Sequence, residues 1–78
     1  MALVRTIERE ERAGSRVHPT EVDCRWQVVH GAEGVTLFQL STYGSDDRQS
    51  EPKVSQTIQL DREIAALLIA RLRETFDL

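Results

Sequence analysis

The stretch from Asp61 to Phe76 constrains this chain more than any other. Ile64, Leu67, Leu68, Leu72 and Phe76 recur at i, i+3, i+4 spacing, and Ala65 and Ile69 widen the stripe. That period predicts an amphipathic α-helix. Asp61 stands where an N-cap belongs, because its carboxylate accepts from the free N–H groups of a first helical turn. Glu63 adds negative charge at the positive end of the helix dipole. Arg62, Arg71, Arg73 and Glu74 fall toward solvent. Leu67, Leu68 and Ile69 are consecutive, and together they span more than the stripe of about 100° that one small sheet hides. Either one of them emerges on a second face, for a helix–helix contact between two copies, or the helix is sunk deeply in its own sheet. Leu67, Leu68, Ile69, Leu72 and Phe76 are the candidate dimer residues.

The residues before the helix alternate with a period of two. Val22, Cys24, Trp26 and Val28 share one face, with Asp23, Arg25, Gln27 and Val29 on the other, which predicts a strand. Gly31-Ala32-Glu33-Gly34 supplies a turn, with two glycines free to take positive φ. A second strand spans 35–43. It is apolar on both faces near its start, as central strands are. Residues 44–52 form a polar loop of turn residues ending at Pro52. A third strand covers 53–60, with Lys53, Ser55, Thr57 and Gln59 predicted on one face.

Residues 1–17 read as an N-terminal arm or edge strand, from the alternation of Leu3, Arg5, Ile7 and Arg9. Glu8 and Arg12, at i,i+4 spacing, equally suit a short helix. Residues 18–78 form one domain. The expected class is α+β: an antiparallel sheet of three to four strands followed by one C-terminal amphipathic helix.

A chain of 78 residues buries only about 60% of the surface its unfolded form exposes, so its core is marginal. Disulfides offer no remedy, because Cys24 is the only cysteine; oligomerisation does. A single thiol fits a reducing cytoplasm. No window approaches the about 18 apolar residues of a membrane span, and the first residues have no apolar run of signal-peptide length. The expectation is a soluble cytoplasmic protein.

No catalytic set has convincing spacing: there is no phosphate-binding Gly-rich loop, no nucleophile elbow and no His-Glu-x-x-His helix. Asp46-Asp47 reads as a solvated turn, and Cys24 as a small buried apolar side chain beside Val22 and Trp26. His18, His30 and Cys24 lack metal-site spacing. The expectation is a protein that is not an enzyme and needs neither metal nor cofactor.

A binding surface is easier to assemble. Arg25, Arg48 and Lys53 offer positive charge, and Tyr43 a ring at a strand end; basic groups and stacking faces together are how proteins hold single-stranded nucleic acid. Trp26 provides a second stacking face if its side of the sheet is the open one, but it is expected in the core, as a lone Trp in a small domain usually is. The net charge of −3 opposes a strong polyanion binder. It favours a rival: a protein-interaction adaptor, or a small subunit of a larger complex, with no nucleic-acid binding.

Thr36-Leu37-Phe38-Gln39-Leu40-Ser41-Thr42-Tyr43, then Glu51-Pro52-Lys53, then Thr57-Ile58-Gln59-Leu60-Asp61 leading into the helix follow an order of elements that resembles the positive cofactor four family of transcriptional coactivators and its bacterial relatives. The resemblance covers residues 20–76. It implies a curved four-stranded antiparallel sheet followed by a helix, a homodimer formed through the helices, and single-stranded DNA or RNA held against the strands. Arg25, Tyr43, Arg48 and Lys53 would make the contacts. This chain departs from the family in having one basic residue in Pro52-Lys53-Val54-Ser55-Gln56, Gly44 after the aromatic, and acidic Asp46, Asp47 and Glu51 in the loop.

Overall fold

Alternation at period two becomes strands, and the capped apolar stripe becomes a helix. A computed structural model describes residues 1–12, 14, 16–44 and 53–78. The elements are β1 (Ala2–Leu3), β2 (Asp23–His30), β3 (Thr36–Tyr43), β4 (Val54–Leu60) and α1 (Arg62–Phe76). The α+β class holds, with one four-stranded sheet in the order β1-β4-β3-β2. β2–β3 and β3–β4 pair antiparallel, but β1 runs parallel to β4, with Ala2 opposite Ile58 and Leu3 opposite Gln59. The sheet is therefore mixed, not purely antiparallel. Alternation assigns a residue to a face and says nothing of strand direction. The long excursion between β1 and β4 is what allows the parallel return. The Val4 N–H extends this edge, donating to Gln59 O at 2.9 Å. Residues 4–12 carry no regular structure, so Glu8 and Arg12 seed no helix.

The turn between β2 and β3 is a single 3-10 turn, Ala32–Gly34. Positive φ falls on Glu33, at 59°, and on Gly34, at 76°, while Gly31 stays at −99°. One of the two glycines thus serves the expected purpose, and a glutamate occupies the other left-handed position. Asp61 caps α1 as expected: its Oδ1 accepts from the Ile64 N–H at 2.9 Å.

Among the described residues the buried apolar side chains are Leu60 and Ile64, each 5% exposed. Leu60 ends β4 and Ile64 lies in the first turn of α1, so the core sits at the strand–helix junction. The helix packs on β3 and β4 and then leaves the sheet. Leu68 is half-buried, whereas every residue from Arg71 to Leu78 is exposed. The deeply sunk helix is not what forms: Leu67, Ile69, Leu72 and Phe76 all face solvent, Phe76 at 65%.

The register aligns Trp26, Val28, Phe38, Leu40, Ile58 and Leu60 on one face of the sheet. Trp26 is nevertheless 65% exposed, and Cys24 is exposed too. Both were expected inside. Because α1 covers the β3–β4 side, nothing of comparable extent in the described chain covers β2. Trp26 instead stacks on Phe38, with ring centroids 5.3 Å apart and planes 18° from parallel.

The accessible surface is 7545 Å², about 2,700 Å² more than a compact monomer of 8.9 kDa presents. The radius of gyration is 15.0 Å, against about 11.5 Å for a compact domain of this length.

Two substitutions test the local chemistry by urea unfolding. Asp61→Ala removes the cap and is expected to lower stability by about 1 kcal/mol. Glu33→Gly relieves a left-handed backbone and is expected to raise it by about 1 kcal/mol. An unchanged midpoint in either variant would contradict the corresponding assignment.

Candidate nucleic-acid interface

The face opposite Trp26 is built from polar side chains in cross-strand rows. Arg25 stands opposite Ser41, which stands opposite Thr57; Gln27 stands opposite Gln39, which stands opposite Gln59. Neighbours at this spacing touch directly. Ser41, in the central strand and only 7% exposed, has its Oγ 3.2 Å from Thr57 Oγ1. A buried hydroxyl left unpaired would destabilise the sheet, so this bond is needed where it stands. In the next row Gln59 Nε2 donates to Gln39 Oε1 at 2.9 Å.

Arg25 lies diagonal to Tyr43 across the β2–β3 pair, since Tyr43 is opposite Asp23. Its guanidinium carbon is 4.7 Å from the Tyr43 ring centroid. Cation and ring therefore form one unit at the end of the hairpin, held by the register of two strands. Tyr43 is half-buried and Arg25 exposed. A guanidinium plane laid on a ring offers charge and a flat surface in the same place.

Lys53 lies elsewhere than alternation predicts. The pairing shifts between Thr42, opposite Gln56, and Tyr43, opposite Val54, leaving Ser55 as the extra residue of a β-bulge. The Ser55 hydroxyl turns to Thr42, with Oγ 2.9 Å from Thr42 Oγ1 and 3.3 Å from Thr42 O. A bulge re-phases the strand beyond it. Lys53, Ser55, Thr57 and Gln59 thus do not share one face; Thr57 and Gln59 stay with Arg25. Exposed Lys53 remains near Tyr43 along the backbone, since its carbonyl accepts from the Gly44 N–H at 3.3 Å. Arg48, Asp46-Asp47 and Pro52 lie outside the described residues.

Arg25 and Tyr43 are thus brought together, with Lys53 at the margin. Sequence reasoning did not find the exposed Trp26–Phe38 stack, because an alternating apolar face reads as core until the covering element is known to fall short. At the junction of that face with α1, a cleft of about 400 Å³ is lined by Val28, Phe38, Leu60, Arg62 and Ala65. Among the described residues no group of three or more His, Cys, Asp or Glu side chains gathers as metal ligands would. None of the described helices is long and apolar enough to cross a membrane.

No family model matches the chain, and neither curated proteins nor solved structures give a significant match.

A double-mutant cycle with Arg25→Ala and Tyr43→Ala is expected to give a coupling of about 0.5–1 kcal/mol in unfolding free energy. Strictly additive effects would mean that the stack does not persist in solution.

Proposed function

We propose that this chain is a non-enzymatic, homodimeric module that binds single-stranded DNA or RNA, in a regulatory or DNA-maintenance role. The observation that carries the reading is the Arg25 guanidinium over the Tyr43 ring, beside rows of hydroxyl and amide side chains. Unpaired bases present flat faces and hydrogen-bonding edges, and this surface offers matching chemistry to both. Tyr43 with Arg25 stacks on a base. Arg25, Lys53 and Arg48, which lies between Tyr43 and Lys53 in sequence, pair with phosphates. With a net charge of −3, stacking has to carry much of the affinity.

Dimerisation is supported by the apolar side chains that α1 leaves exposed. Leu67, Ile69, Leu72 and Phe76, exposed along one helix, are the side chains for that contact, with Leu68 beneath them.

The acidic balance and the exposed apolar residues of α1 favour a second reading, a protein-interaction adaptor or small subunit that binds no nucleic acid. Fluorescence anisotropy with labelled oligo-dT across a salt series separates the two. Phosphate contacts by three basic residues should give a log–log slope of about −2. Tyr43→Ala should weaken binding about five-fold or more, and Lys53→Ala should flatten the slope. Absence of binding at low salt would leave the adaptor reading.

A further inference from the structure

We infer that β2 is a docking edge for another copy of this chain, paired antiparallel with its twin β2 about a two-fold axis. The two edges of the sheet are treated differently. One edge is β1, only two residues long, whose pairing on β4 is continued by the Val4 N–H on Gln59 O. The outer side of β2 has no partner strand among the described residues. β2 is eight residues long and contains no proline, no lysine and no bulge. Those are among the devices by which sheet edges avoid pairing with other chains, as is the shortness of β1; the charges of β2, Asp23 and Arg25, lie on the face opposite Trp26.

The register determines which backbone groups are open. The Gly31 N–H donates to Val35 O at 2.8 Å, and that pair continues the β2–β3 register. In an antiparallel ladder hydrogen-bonded pairs alternate with non-bonded ones. The bonded residues are therefore Val29, Gln27, Arg25 and Asp23, and the backbone groups of His30, Val28, Trp26 and Cys24 point outward. The outward-pointing residues are those of the Trp26 face. About a two-fold axis normal to the sheet, outward residues meet outward residues, so each face continues into its own kind.

Centred on Trp26, the pairing sets Trp26 against its symmetry mate, Cys24 against Val28 and Arg25 against Gln27. No like charges meet, and aromatic and aliphatic side chains cross the seam, the combination that stabilises neighbouring strands. The seam would also remove part of the excess surface carried by each chain. It uses a different part of the molecule from the helix contact of the proposed function, and with the two axes crossing at right angles the two contacts together close a tetramer of dimers.

The Gln27 substitutions that test this leave the apolar face alone, and Val28→Pro targets a backbone group on it. Gln27→Lys places a cation opposite Arg25 on both sides of the seam; Gln27→Glu places an anion there. Val28→Pro removes an outward N–H that the hairpin ladder does not use. Native mass spectrometry of wild type is expected to show tetramer. Gln27→Lys and Val28→Pro should halve that mass with circular dichroism unchanged, and Gln27→Glu should hold the tetramer to greater dilution. Leu72→Glu, aimed at the helix contact alone, should leave an edge-joined dimer. A Leu72→Glu variant that is only monomer, or Gln27 variants of both signs that match wild type, would overturn the inference; a wild-type dimer that the Gln27 variants still shift would remove the helix contact and leave the edge. If Val28→Pro fails to fold, the Gln27 pair decides.

Discussion

A shortage of burial governs this molecule. Leu60 and Ile64 are the apolar side chains its described residues bury most deeply, and they sit together where β4 passes into α1. Fully burying a side chain of this kind is favourable by about 1.5–3 kcal/mol, while ordering each residue of backbone costs about 1–2 kcal/mol. Partly buried Val29, Leu37, Leu40 and Leu68 add to that core without enclosing it. Much of the remaining apolar surface stays exposed. The Trp26–Phe38 face and the outer half of α1 are where that surface lies, and both belong to elements that hydrogen bonding has already made regular. Folding and association are, in this account, one process.

The same register that leaves one face oily makes the other polar and orderly. β3, central among the three long strands, has to satisfy its buried Ser41 hydroxyl, and Thr57 on β4 does so. Gln39 and Gln59 close a second row. At the end of these rows the hairpin places Arg25 over Tyr43, and the bulge at Ser55 re-phases the start of β4 so that Lys53 approaches from a different side. A ligand on this face would meet stacking surface and hydrogen bonds before it met much charge. That ordering suits an acidic chain better than a phosphate-led mode of binding would.

The helix was legible to the residue, because cap and stripe are local: Asp61 begins it and Phe76 ends it. The three long strands were legible to within one or two residues, since two-residue alternation is local as well. What was not legible depends on distant partners. The parallel direction of β1 is set by where the chain returns, not by the pattern of Leu3 and Arg5. The bulge at Ser55 arises in the pairing of two strands, and nothing in Lys53-Val54-Ser55-Gln56 announces it. Trp26 reads as core because its strand has an apolar face, yet coverage depends on how far a helix thirty-odd residues later extends. In the turn, Glu33 took a conformation that two glycines were better suited to supply. For the candidate site, the residue types were visible and the meeting of Arg25 with Tyr43 followed only from register.

The central claim, that this fold is completed by a second copy, is tested most directly by the concentration dependence of thermal unfolding. For a chain that folds as it associates, a hundred-fold rise in protein concentration adds about 2.7 kcal/mol to the stability of the dimer, and the midpoint should climb by several degrees. A cooperative transition whose midpoint stays fixed across that range, in a protein of monomeric mass, would contradict the account.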